Sequence, residues 1–239
     1  MSGATLEQIV LELQRLGSAD RRARALRIGA AAEPCLGVSK GDLRQLARRF
    51  KGEHQIAKQL WQSDLHDARL LGALIADPRT VSAEDLQDWV GRIDSWELCD
   101  TFCKDLVCRT AAPDVLLAHW AKDDRLYVRR AALATLANLA VHKPDAVSQK
   151  LEWFICFIRD CASDPRPHVA SAAAWALREI GKSGLEANDA ALELAAELAT
   201  QFGPAKRVGS AALRELNNLI VVRERRRLLS ANRKTARRG

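Results

Sequence analysis

Aromatic side chains are scarce in this 239-residue chain: they make up 5% of it, half of them Trp, with a single Tyr. Glycine (13) and proline (7) are also sparse, which argues against an all-β sandwich built on many tight turns. No apolar run approaches the roughly 18 residues needed to cross a bilayer. The N-terminal stretch MSGATLEQIVLELQ lacks the basic segment and continuous apolar core of a secretory leader. Neither secretion nor membrane spanning is expected. Metal motifs are missing too. Cysteines at 35, 99, 103, 108, 156 and 161 form no C-x-x-C, and the 99/103/108 spacings match no zinc or iron–sulfur pattern. No metal is expected, and the thiols read as small, buried and reduced.

What is present is the material of a packed helical protein. Apolar residues are 48% and charged residues 28%, enough to bury a core. The length suits one or two domains, or one long helical array. The net charge of +7 is unevenly spread. Residues 221–239 hold eight basic groups (Arg223, Arg225, Arg226, Arg227, Arg233, Lys234, Arg237, Arg238) against Glu224 alone. The 29 basic and 29 acidic groups of residues 1–220 cancel. The charge pattern thus divides the chain into a folded body over 1–220 and a basic, partly disordered tail over 221–239 suited to an anionic partner.

Ala, Leu, Arg and Glu dominate, and the apolar spacing is helical. The pattern predicts about thirteen helices, near 5–16, 19–32, 39–51, 53–61, 64–76, 83–92, 95–109, 112–122, 125–142, 145–161, 165–182, 188–202 and 204–230. Pro144, Pro165 and Pro204 suit first helical positions, Asp94 with Glu97 resembles a capping box, and Gly181 and Gly184 mark a helix end. An internal repeat is visible. VRRAALATLANL from Val128 aligns with VASAAAWALREI from Val169, and that with VGSAALRELNNL from Val208, at shifts of 41 and 39. A period near 40 with two helices per unit implies an all-α fold, an α-solenoid of HEAT-like repeats with about six helix pairs and a concave groove.

At about 100° per residue, Val128, Ala132, Leu136 and Leu139 form one stripe, with Arg130 about 200° away. In the next copy, Val169, Ala173, Leu177 and Ile180 repeat the stripe, while Trp175 and Arg178 fall on the far side at about 240° and 180°. On the helix near 95–109, Trp96 and Asp100 are four apart and share a face opposite Leu98, Phe102 and Leu106. Two Trp, two Arg and one Asp are thus expected to face away from the core. Trp rings stack on bases or sugars and attract cations, and Arg grips phosphate through paired hydrogen bonds. A carboxylate facing a polyanion is costly unless positive charge develops beside it. Cleavage of an N-glycosidic bond does this, because the sugar gains oxocarbenium character that a fixed carboxylate stabilises.

Four strings carry a family resemblance: LGVSKGDLRQLARR (36–49), DSWELCD (94–100), YVRRAALA (127–134) and AAAWALREIGK (172–182). In order and interval the chain resembles the AlkD-like, HEAT-repeat DNA alkylation-repair glycosylases over most of residues 20–200. The resemblance implies hydrolysis of cationic N3- or N7-alkylpurines from double-stranded DNA without flipping the base into a pocket. It assigns catalysis to Asp100, lesion contact to Trp96, phosphate contact to Arg130, deoxyribose packing to Trp175 and a supporting DNA contact to Arg178. It implies a monomer without cofactor, in the cytoplasm (at the nucleoid in a bacterium, in the nucleus in a eukaryote).

Three positions depart from the family pattern. Ser171 stands where a Lys is usual, Asn138 where a second basic residue is common, and Ile28 where an aromatic is expected. Each lost phosphate contact weakens DNA binding and flattens its salt dependence by roughly one unit. Two other functions therefore stay open: a non-catalytic HEAT-repeat protein that binds bent or branched DNA, and a protein-binding HEAT scaffold.

Overall fold

The computed structural model describes residues 5–111, 114–221 and 227–230. They form fourteen α-helices, a 3₁₀ turn at Val107–Arg109 and one two-stranded antiparallel ribbon. No described helix is long and apolar enough to cross a membrane. The chain divides into two compact units, residues 1–116 and 117–239.

The first unit holds α1 (Leu6–Leu16), α2 (Ala19–Arg27), α3 (Lys40–Arg49), α4 (His54–Gln62), α5 (His66–Ile75), α6 (Ala83–Gly91) and α7 (Trp96–Asp105). Hydroxyls start four of them. Thr5, Ser18, Ser39 and Ser82 each accept a hydrogen bond from the backbone N–H three residues on, satisfying donors a helix start leaves open. Helix α5 is the centre, buried at every position except Leu74 and packed against α3, α4 and α7. Gly72 allows the approach of α4, since a Cβ there would lie 2.9 Å from the Ala57 carbonyl oxygen. Beneath lies an aromatic core. The Trp61 ring stacks on Trp89 at 4.9 Å and leans on Phe102 at 5.2 Å.

Helix α8 (Asp114–Trp120) leads into the second unit, which holds α9 (Leu126–His142), α10 (Pro144–Gln149), α11 (Leu151–Cys161), α12 (Pro167–Gly181), α13 (Leu185–Ala199) and α14 (Gly203–Leu216). The sequence repeat is the packing repeat. Val128, Val169 and Val208 are buried at matching places on α9, α12 and α14, as are Leu136, Leu177 and Leu216. Helix α12 packs against both α9 and α14. Small residues bring the helices together: a Cβ on Gly209 would lie 2.4 Å from the Ala195 carbonyl oxygen and 2.5 Å from the Ala199 nitrogen.

A second repeated device is absent from the sequence expectations. Asp77, Asp123 and Asp164 each stand two residues before an Arg. Each carboxylate accepts the backbone N–H of that Arg, at 3.0, 2.8 and 3.0 Å, and its guanidinium as well. This closed turn delivers the chain into α9 and α12, with Arg125 and Arg166 at the N-caps. Arg166 holds the Asp164 carboxyl well below the usual carboxylate range, helped against burial by Arg129. Because Arg166 is the cap, Pro167 rather than Pro165 takes the first helical place.

Two helix expectations need correction. The span 145–161 is two helices, α10 and α11, parted at Lys150. The span 204–230 is not one helix: α14 stops at Leu216, and Leu219–Ile220 pairs with Leu229–Ser230. Asn217 and Asn218 favour a turn, and the β-branched Ile220 and Val221 suit extended backbone. Part of the basic tail is engaged, since Leu228 is buried and Arg227 pairs with Glu179 at 2.7 Å. Tail residues 222–226 and 231–239 lie outside the described residues.

Gly209→Ala is expected to destabilise the protein by about 1–3 kcal/mol through overpacking against α13. Gly41→Ala, in α3 with its nearest neighbour 3.6 Å away, should leave stability equal or raised. Thermal unfolding followed by circular dichroism separates the two.

Candidate nucleic-acid interface

Helix α7 carries Trp96 and Asp100, and its first turn is anchored from three sides. Two buried charges of α5 do part of this. The Asp67 carboxylate accepts the backbone N–H of Leu36 at 2.6 Å and of Val38 at 2.8 Å, shaping the loop before α3. Gly37 between them has φ +73° and sits against the Arg22 nitrogen and Ser18 carbonyl, so only glycine fits. Two residues along α5, Arg69 is 5% exposed. Its guanidinium donates to the Arg92 carbonyl at 2.8 Å and to the Asp94 carboxylate at 2.5 Å, pinning the approach to α7.

The expected capping box is not formed. Ser95 is the N-cap of α7 and makes no side-chain cap bond. Asp94 and Glu97 instead serve contacts distant in sequence, Asp94 to Arg69 and Glu97 to Lys40 at 3.0 Å. The Glu97 carboxylate also faces the buried His66 ring, 3.9 Å from Nε2, too long for a hydrogen bond. Burial pushes the Glu97 carboxyl up, but the His66 imidazole and Lys40 ammonium pull it further down, leaving it below its ordinary value. The other anchor is the turn after α2. The Trp96 indole N–H donates to the Ile28 carbonyl and the Glu97 N–H to the Ala30 carbonyl, each at 3.3 Å.

Trp96 and Asp100 are brought together as expected, one helical turn apart, both half-buried and lining one cleft. The cleft measures about 120 Å³, below the roughly 300–1,000 Å³ of pockets that engulf a ligand. Lys40, Arg44 and Lys104 line it beside the carboxylates of Glu97 and Asp100. The sequence reading missed Lys40 and Arg44 as neighbours of Asp100, because they come from α3. Their place within LGVSKGDLRQLARR was the available signal. The Ile28 side chain is 56% exposed, so this departure lies beside the indole it would join.

In the second unit, Arg130 overturns an expectation. It does not project away from the packed core but is 6% exposed and donates to the His168 carbonyl at 2.9 Å. Helix α9 is buried continuously from Arg130 to Ala140, so the side opposite its apolar stripe is covered as well. Asn138 is likewise buried, donating to the Ala134 carbonyl at 2.8 Å. Trp175 is half-buried on α12 and shares a face with Ser171 and Arg178. Arg178 pairs with Glu215 at 3.1 Å, and Glu215 also holds Lys182 at 2.6 Å. The neighbouring Glu179 binds Lys182 and Arg227. Burial raises its carboxyl, and those two cations more than reverse the effect.

Trp153 on α11 is half-buried as Trp96 and Trp175 are, and the other three tryptophans are not. Trp61, Trp89 and Trp120 are sealed in cores at 3% exposure or less. Five of the six thiols are buried as expected, whereas Cys156 is exposed; all six are free. Burial pushes Cys35 and Cys161 up to about 11, so both are protonated and unreactive.

Comparison with known proteins bears on this geometry. A family model described as DNA alkylation repair enzyme matches residues 9–206. A solved structure described as "a new family of proteins related to the HEAT-like repeat DNA glycosylases with affinity for branched DNA structures" superposes with a TM-score of 0.73. It shares 19% identity, with 95% of this chain and 91% of that one covered. AlkD2 from Streptococcus mutans superposes with a TM-score of 0.57 at 17% identity, covering 87% of this chain and 98% of that one. The fold is therefore all-α and HEAT-like. No curated protein sequence matches the chain.

The carboxyl of Glu97 sets a pH test. A depressed folded-state pKa contributes stability fully present above the unfolded value of about 4.3 and lost as pH falls through the folded value. Glu97→Gln should cost about 1–3 kcal/mol at pH 7 and flatten the stability loss below about pH 5. Urea unfolding at stepped pH reads both effects.

Proposed function

The chain belongs to the DNA alkylation repair enzyme family, and on that premise we propose that it is a glycosylase hydrolysing the N-glycosidic bond of cationic N3- or N7-alkylpurines in duplex DNA. A DNA-repair role follows from the family itself. The observation that carries the finer reading is the pairing of Trp96 and Asp100, one turn apart on a helix whose start is clamped by Arg69 and by the 28–30 turn.

The chemistry asks for little machinery. The alkylated base already carries positive charge, so it departs without protonation. As the bond to the sugar lengthens, positive charge moves to the deoxyribose, and the Asp100 carboxylate stabilises it and orients the attacking water. The Trp96 ring presents a π face to the cationic nucleotide. The small cleft favours reaction at the surface over extrusion of a base into a pocket. Trp175 packs on sugar and Arg178 supports the backbone. Arg130, engaged with His168, acts on phosphate only through the face it shows, and its larger role is to hold α9 against α12. No cofactor enters this scheme, and one copy of the chain suffices.

A second reading has its own support. Ser171 and the buried Arg130 and Asn138 remove three expected phosphate grips, and the structure with TM-score 0.73 belongs to proteins with affinity for branched DNA. On that reading the chain binds branched DNA and releases no base.

Base release from methylated duplex DNA decides between them. Asp100→Asn should lower release of 7-methylguanine and 3-methyladenine by at least about 100-fold, the scale of one lost electrostatic contact to a transition state, with melting temperature unchanged. Unchanged release overturns the role of Asp100. Absence of release by the wild-type protein, with tight junction binding, establishes the second reading.

A further inference from the structure

Phe202 is 90% exposed, more than any other large apolar side chain among the described residues. It occupies the N-cap of α14 and makes no side-chain cap bond, a place where Ser, Thr or Asp would serve the helix better. Gly203 follows it with φ +64°, and Pro204 sits in the first helical turn. The turn displays an aromatic ring to solvent at a hydration cost that packing does not offset.

A cationic groove begins one turn further along α14. Lys206 is one helical turn from Phe202, and with Arg207, Arg214 and Arg178 it lines a groove of about 810 Å³ between α12 and α14. No carboxylate lines it. Arg178 is paired with Glu215, whereas Lys206, Arg207 and Arg214 are exposed and form no ion pair among the described residues. Ser171, where the family pattern has Lys, lines the same groove, so α14 returns charge that α12 has lost. Arg214 lies one repeat shift of 39 beyond Trp175, the register that puts both on matching helical positions.

We infer that Phe202 is a stacking wedge that makes the α12–α14 groove selective for DNA with an interrupted base stack, while Lys206, Arg207 and Arg214 grip the flanking phosphates. Inserting a ring into an intact duplex requires two base pairs to part. At the branch point of a junction the stack is already interrupted, so the same ring stacks there at a smaller penalty. The groove supplies affinity and the wedge supplies discrimination. This inference rests on the DNA-binding reading above and is separable from the role of Asp100.

The test is an electrophoretic shift titration at several salt concentrations, with a three-way junction and an intact duplex of the same sequence. Phe202→Ala should weaken junction binding by roughly 5- to 150-fold, the effect of removing one base-stacking ring, and change duplex binding less than twofold. Phe202→Trp should restore junction preference. The combined Lys206→Ala, Arg207→Ala, Arg214→Ala protein should bind both DNAs more weakly and lose about 0.9 unit of salt slope per released contact. Equal weakening of junction and duplex by Phe202→Ala, or no change in either, overturns the wedge. Unchanged salt slope in the triple variant overturns the groove. Asp100-dependent base release, measured in parallel, survives failure of the wedge. Absence of salt-sensitive binding by the wild-type protein overturns this inference and the DNA reading together.

Discussion

Two charges buried on one central helix organise the site-bearing half of this protein. Asp67 and Arg69 stand two apart on α5, 1% and 5% exposed, and neither is spent on the other. Asp67 gathers two backbone N–H groups of the 36–38 loop, and Arg69 takes a backbone carbonyl and the Asp94 carboxylate at the approach to α7. Desolvating a charge is expensive unless hydrogen bonds replace its water. Here the Asp67 oxygens and the two terminal nitrogens of Arg69 meet loop groups, while the buried Arg69 Nε has no hydrogen-bond partner, so one helix ties down two separate loops. The Trp96–Asp100 pair on α7 is held in place by residues of other elements.

The same logic explains why α7 starts without a conventional cap. Asp94 and Glu97 are spaced to satisfy the open N–H groups of the first turn, yet both are drawn to cations from α5 and α3. A charge-assisted contact in a partly buried setting outweighs a local cap worth about 1 kcal/mol. The turn after α2 then supplies a carbonyl to the Glu97 N–H and another to the Trp96 indole. An indole whose N–H is already bound keeps its rim fixed while part of its ring stays exposed.

The second unit builds its surface differently. Three helices in register, α9, α12 and α14, place Val and Leu identically and vary the remaining face. On α9 that face is covered, and Arg130 donates to the His168 carbonyl. On α12 it carries Ser171, Trp175 and Arg178, and on α14 it carries exposed cations. A repeat frees sequence to vary outside the packing positions, because each helix needs only its apolar stripe to join the stack. Charge lost from one copy is thus replaceable on the next.

Periodicity made the helical class, the positions of most helices and the three-copy repeat legible from residue order, because an apolar stripe with a 3.6-residue period is a local property. The pairing of Trp96 with Asp100 was legible for the same reason: a four-residue spacing puts both on one face of any helix. Burial of Arg130 was not legible, because helical angles say which face a residue occupies and nothing about whether a second neighbour covers it. Nor were the Arg69–Asp94 clamp, the Lys40 contact to Glu97 or the return of Arg227 onto Glu179. Those partners are 25, 57 and 48 residues apart. Residue order determined which faces exist on each helix; only the packing of helices distant along the chain decided which of those faces meet water, because burial depends on neighbours and not on spacing.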